Sequence, residues 1–172
     1  MVIAKSIISN SAIRIFLQEV GKFYDKERGF EPFIPKKNQK IELLECFNYM
    51  CCYCGIHIDE NTFSQDHLIP MNKSDLGLHA WGNVVPCCKE CNNVKQQKPW
   101  VEFLSNKSTG KIFAARKNII DSFITAKNYD PNMNIQEYAG NLYEDVGQVA
   151  MTLINLRYKQ AEAGIKQLLQ KK

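Results

Sequence analysis

Six of the seven cysteines in this 172-residue chain fall into two tight clusters: Cys51, Cys52 and Cys54, then Cys87, Cys88 and Cys91, with Cys46 apart. Within them, Cys51-Cys-Tyr-Cys54 and Cys88-Lys-Glu-Cys91 are two CxxC pairs. Two intervening residues let both sulfurs face one ion. Two such pairs complete a tetrahedral thiolate shell for a structural zinc, with no position open to a substrate. The spacing sets Cys52 and Cys87 aside as spectators. The odd cysteine count argues against a disulfide framework. The N-terminal run Met1-Val-Ile-Ala-Lys5 has a lysine inside its short apolar stretch and reads against a secretory leader. Together they point to a cytoplasmic protein with reduced thiols.

Between the two pairs lie Asp66-His67-Leu-Ile-Pro70 and Asn83; Asn92 follows the last cysteine and Lys95 comes three residues later. This ordered set resembles the HNH nuclease superfamily, whose core is the ββα-metal fold. It looks most like the branch built around a four-cysteine zinc, which includes restriction endonucleases and a phage junction-resolving endonuclease. The resemblance runs from Cys51 to Lys95; the flanks resemble nothing we can name. It implies that His67 is the general base that takes a proton from the attacking water. Asp66 would bind a divalent metal from the end of the first strand. Asn83, on the second strand, would brace the loop or hydrogen-bond to the His67 segment. Asn92 stands at the family's final His position, an HNN variant, and would be the second metal ligand, with Asn93 one residue away as the alternative.

The residue types suit that chemistry. An imidazole with an ordinary pKa near 6.5 can activate water at neutral pH. One carboxylate and one amide oxygen fit a hard, loosely held cation such as Mg²⁺ or Mn²⁺, and do not suit zinc. Two different ions in two places are therefore expected. Residues 51–91 carry two basic and five acidic side chains, and residues 92–128 seven and two. A locally acidic stretch followed by the most basic one is the pattern of a cation site beside a phosphate-binding face. Lys95 and Lys98, three apart, are expected to share a helix face toward a nucleic-acid backbone. His57 and His79 receive no catalytic role.

The elements that must position these residues follow from periodicity. The fold class is α+β, a mainly helical domain around a zinc-stabilised ββα-metal centre. One domain is expected over 1–172, with N-terminal helices in 1–49, the ββα-metal core in 50–98 and C-terminal helices in 99–172. Asn10 and Ser11 can cap a first helix ending near Gly29, and a second runs from Lys37 to Asn48. Two short strand-like runs, at 64–70 and 81–86, read as a β-hairpin around a loop, and His57 alternates with Ile56 and Ile58 as on a strand at 55–59. Helix returns at 91–95, at Trp100–Leu104 after Pro99, and over about 111–127. A terminal helix runs from near Asn134 almost to Lys172. Its stripe of Leu142, Val146, Val149, Leu153 and Leu156 drifts to Ala161, Ile165 and Leu168. No run approaches the ~18 apolar residues of a membrane span.

The expected function is a metal-dependent endonuclease acting on duplex DNA, in restriction or antiphage defence. It would work as a homodimer through the terminal stripe, as a monomeric nickase, or beside a recognition or ATPase partner subunit. The alternative is a non-catalytic zinc module binding nucleic acid or a partner protein, which leaves Asp66, His67 and Asn92 without a purpose.

Overall fold

The computed structural model describes residues 2–170, and the side chains of residues 5–166. Helix α1 spans Val2–Glu27. It begins well before the expected Asn10–Ser11 cap, because Ser11 Oγ donates back to Ile7 O at 2.9 Å within the helix. No helix-breaking residue interrupts 2–9. Helix α2, Lys37–Cys46, stops short of Asn48. There the backbone turns left-handed at Asn48 and Tyr49, with φ of 50° and 56°.

Strands β1 (Phe63–His67) and β2 (Val84–Cys88) pair antiparallel, with Asp66 opposite Val85 and His67 opposite Val84. Helix α3, Lys89–Lys95, follows β2 directly, giving the ββα order. The run at 55–59 is no strand; it makes one isolated bridge, Met50 with His57. Helices α4 (Trp100–Lys107) and α5 (Gly110–Ala126) follow, then the short α6 (Gln136–Ala139). Gly140, at φ +52°, ends α6, so the terminal helix α7 starts at Leu142 rather than near Asn134 and runs to Gln170. The Leu168 side chain and the expected extension to Lys172 lie outside what is described.

Two apolar clusters frame the hairpin. One packs Leu43 and Leu44 of α2 and Phe47 just after it on Val84 and Val85 of β2, closed by Leu104, Ile120 and Phe123 from α4 and α5. The other joins Ile13 and Leu17 of α1 to Leu76 and Leu78 of the β1–β2 connection and to Tyr129, Ile135 and Ala139. Polar contacts fix α1 more tightly than this apolar seam alone could. The buried Asp25 carboxylate accepts from Phe33 N at 2.8 Å, Trp81 N at 3.1 Å and Arg28 Nη2 at 2.6 Å. The Arg28 guanidinium also donates to the Trp81 and Lys127 carbonyls, so one ion pair ties α1, the connection before β2 and the end of α5.

Helix α1 lies directly on the β1–β2 connection: His79 N reaches Leu17 O at 3.4 Å. A Cβ placed on Gly21 would stand 2.4 Å from His79 O, so only glycine permits this approach. On its other side α1 packs against α7, where Gly147 faces the buried Ser9 and Lys5 pairs with Glu144 at 3.1 Å. Beyond that contact α7 runs into solvent. Val149, Leu153 and Leu156 of the expected stripe are at least half exposed.

Gly21→Ala is expected to cost about 1–3 kcal/mol, because backbone must shift to admit the methyl group. Gly164→Ala, on the open part of α7 with nothing within 4 Å, should instead add up to ~1 kcal/mol through helix propensity. Urea denaturation of both variants checks the contrast.

Candidate active site

The Sγ atoms of Cys51, Cys54, Cys88 and Cys91 all lie within 4.8 Å of one another. A tetrahedral ion with Zn–S bonds of about 2.3 Å needs sulfurs roughly 3.8 Å apart, and Cys54 Sγ and Cys88 Sγ are 3.8 Å apart. The donor set could thus hold a metal ion such as zinc. Local backbone prepares it. Cys88 Sγ caps α3 by accepting from Cys91 N at 3.3 Å. Burial alone would raise the Cys51 thiol, but N–H groups of Cys54, Cys88 and Tyr53 outweigh it and bring it below the ordinary value. Cys54, by contrast, is pushed up by burial to about 11. From α5, Arg116 donates to Tyr53 O at 2.8 Å and Cys54 O at 2.7 Å, clamping the first CxxC turn. Cys52 and Cys87 are buried beside the quartet and not in it.

At the far end of β1, Asp66, His67 and Asn92 line one cleft of about 470 Å³. The hairpin register places Asp66 and His67 where β1 ends, and α3 brings Asn92 alongside. Asn93, the alternative in register, is exposed and does not line the cleft. Asn92 Nδ2 donates to Ser64 Oγ at 2.7 Å, which commits the amide nitrogen and leaves its oxygen as the remaining donor to a cation. The buried Asp66 carboxylate takes Tyr53 OH at 2.6 Å and Lys95 Nζ at 2.9 Å, both on Oδ2. A carboxylate and an amide oxygen on one cleft fit a hard divalent cation.

Lys95 is the correction. It does not face a nucleic-acid backbone: its side chain is fully buried, paired with Asp66 and donating to His67 O at 2.8 Å. Lys95 and Lys98 share no helix face, because α3 ends at Lys95, where Gln96 adopts φ 51°. Lys98 itself is exposed. Asn83 is one residue ahead of β2, fully buried. Its Oδ1 accepts from Ile69 N at 2.8 Å, and its Nδ2 donates to Ile69 O at 3.1 Å and Leu78 O at 2.8 Å, holding both ends of the loop beyond His67. His57 stands apart, exposed and stacked near Tyr49.

Three cleft residues, His79, Arg14 and Gln18, carry no spacing signal. His79, twelve positions from His67, places its Nδ1 3.0 Å from His67 Nε2. Arg14 and Gln18 reach the same cleft from α1. Such long-range neighbours leave no periodic mark. Burial above all, then His79, Lys95 and Arg14, push His67 from the usual 6.5 down to about 3. His79 is likewise lowered, by burial and then by Lys22 and Arg14. Both shifts favour the neutral imidazole.

Residues 51–107 match a family model described as HNH endonuclease. The CRISPR-associated endonuclease Cas9 of Actinomyces naeslundii is 30% identical over 84 residues, which cover 48% of this chain and 8% of that protein. The Septu protein PtuB of Bacillus thuringiensis is 34% identical over 58 residues, 33% of this chain and 23% of that one. The chain thus spans less than a quarter of the length of either relative. The crystal structure of the Type II-C Cas9 enzyme from Actinomyces naeslundii aligns with 64% of this chain and 13% of its own, at 21% identity. Its TM-score of 0.33 is too low to define a shared fold.

Lys95→Ala strands a buried carboxylate and should cost about 3–5 kcal/mol, whereas Lys98→Ala should stay within ~0.5 kcal/mol. Equilibrium urea unfolding of the two variants separates a buried lysine from a solvated one.

Proposed function

Taking residues 51–107 as an HNH endonuclease segment, we propose that this chain is a metal-dependent endonuclease that hydrolyses DNA phosphodiester bonds. One observation carries the reading: Asp66, His67 and Asn92 line a single cleft at the end of the ββα unit, away from the four-cysteine cluster. A non-catalytic zinc module needs the thiolates and has no use for that convergence. Cys51, Cys54, Cys88 and Cys91 hold zinc as a structural ion. Asp66 and Asn92 hold Mg²⁺ or Mn²⁺, which when bound offsets negative charge developing on the phosphate and the leaving oxygen.

The chain's own groups do the rest. The 3.0 Å separation of His67 Nε2 and His79 Nδ1 fits a hydrogen bond; with His67 Nε2–H as its donor, His67 Nδ1 is the acceptor that takes a proton from water. His79 then orients the base. A phosphodiester in the cleft brings negative charge that counters the smaller Lys95 and Arg14 contributions to the lowered His67. Asn83 holds the loop that carries this geometry. Tyr53 and Lys95 fix the Asp66 carboxylate. Lys98, exposed just past α3, contacts the backbone of the duplex.

The biological setting we propose is restriction or antiphage defence, a reading supported by a relative named as a CRISPR-associated endonuclease. One such centre cuts one strand, so a double-strand break takes a second centre of opposite polarity. A homodimer through the exposed part of α7 is the simplest source; a recognition or ATPase subunit is the other.

Purified protein is expected to contain one zinc per chain. Ser at Cys51, Cys54, Cys88 or Cys91 should lose it together with the fold, while Cys52→Ser and Cys87→Ser keep it, as metal analysis and circular dichroism will report. Zinc-free protein that is folded and active would remove this assignment.

Plasmid incubated with Mg²⁺ or Mn²⁺ should be cut, and chelator should stop the reaction. His67→Ala should lower the rate by about 10²–10⁴-fold with zinc content and duplex affinity retained. Asp66→Asn and Asn92→Ala should raise the metal concentration required. A His67→Ala protein that cuts like wild type would show that the base lies elsewhere.

A further inference from the structure

The chain has four arginines, and three are committed within the fold. Arg28 is paired with Asp25 and two carbonyls, Arg116 clamps Tyr53 O and Cys54 O, and Arg157 donates to Gln160 on its own helix at 2.9 Å. Arg14 is different. Among the described residues it has no hydrogen-bond or ion-pair partner, and it is exposed. It lines the 470 Å³ cleft and also the adjoining hollow of about 160 Å³, and both contain Asp66 and His67. The one carboxylate on that surface, Asp66, is already matched by Lys95. The charge of Arg14 is therefore left for an anion from outside the chain.

Its position is fixed without its own side chain taking part. Leu17 O accepts from His79 N, Gly21 lies against the His79 backbone, and Asp25 holds Trp81 N, so three successive turns of α1 are seated on the loop beside His67. Arg14 stands one turn ahead of that seat. Gln18, one turn on, lines the cleft as well. Lys22, a further turn along, is paired with Glu19 at 2.6 Å and is not free in the same way. A planar guanidinium suits this place, because it can meet two phosphate oxygens at once where an ammonium offers a point charge.

We propose that Arg14 is a phosphate-binding residue of this cleft, gripping the phosphodiester backbone of the nucleic acid beside His67. The inference rests on the nuclease reading above and deepens it: the working centre extends beyond residues 51–107 and is completed by α1, which lies outside that segment.

The test uses the full-length protein and a fluorescent duplex oligonucleotide. Binding is measured by anisotropy with Mg²⁺ present, in the slow-cutting His67→Ala background, across a range of salt concentrations. Adding Arg14→Ala should reduce the slope of log affinity against log salt by about 0.9, the value for one phosphate contact; adding Arg14→Lys should keep it. In the otherwise wild-type protein, Arg14→Ala should lower kcat about 10²-fold, and Arg14→Lys should recover part of that loss. Zinc content and the urea midpoint should not move, since the side chain has no partner to lose. An unchanged salt slope overturns the proposal even if kcat falls, because a displaced α1 would give the second effect alone. If wild type shows no metal-dependent cleavage, the nuclease reading fails on its own. The slopes of wild type and Arg14→Ala then still decide whether Arg14 holds phosphate.

Discussion

Two strands of five residues each cannot hold themselves together in water; a lone hairpin buries too little and leaves both edges open. That constraint explains why chemistry and scaffold are arranged as they are. Four cysteine sulfurs converge where the first CxxC turn meets the end of β2 and the start of α3, so one ion there would join three backbone segments at once. The remaining support comes from outside: α2, α4 and α5 cover one side of the hairpin, and α1 covers the loop at its other end. Arg116 shows how closely the layers are knit, since a side chain of α5 satisfies carbonyls in the cysteine turn itself.

Charge is distributed as economically as packing. Asp66 is buried, and a buried carboxylate without a counter-charge is costly. Lys95 supplies that charge and Tyr53 a hydrogen bond, both on the same oxygen. The pairing holds Asp66 in one orientation at the edge of the cleft, and also ties α3 to β1 through the bond from Lys95 to His67 O. One lysine therefore links the residue proposed for metal binding with the backbone of the residue proposed as base.

How much of this was legible in the sequence depended on the range of the contacts. CxxC spacing is local, so the four-sulfur cluster and the spectator status of Cys52 and Cys87 could be read directly. The order of Asp66-His67, Asn83 and Asn92 around those pairs was readable in the same way, and the structure brings Asp66, His67 and Asn92 to one cleft, with Asn83 bracing the loop beside it. The three-residue interval from Lys95 to Lys98 does not mark a shared face, because the helix ends at Lys95. The position of Lys95 four residues after Cys91, on the side that must face the hairpin, carried the better signal. The start of α1 and the break at Gly140 turned on tertiary packing and on a left-handed backbone that periodicity does not register. His79 meets His67 across 12 positions of sequence and Arg14 shares its cleft across 53, and nothing local announces such neighbours.

The arrangement of α1 has a mechanical side. This helix of 26 residues is about 39 Å long at 1.5 Å per residue. Its first turns lie under α7, where Ser9 meets Gly147, and its later turns are wedged against the His79 backbone. Close-packed helices transmit displacement rather than absorbing it. From Leu153 to Lys166, α7 stands free in solvent like the handle of a tool. A load applied to that handle would fall first on the α1–α7 contact around Ser9 and Gly147.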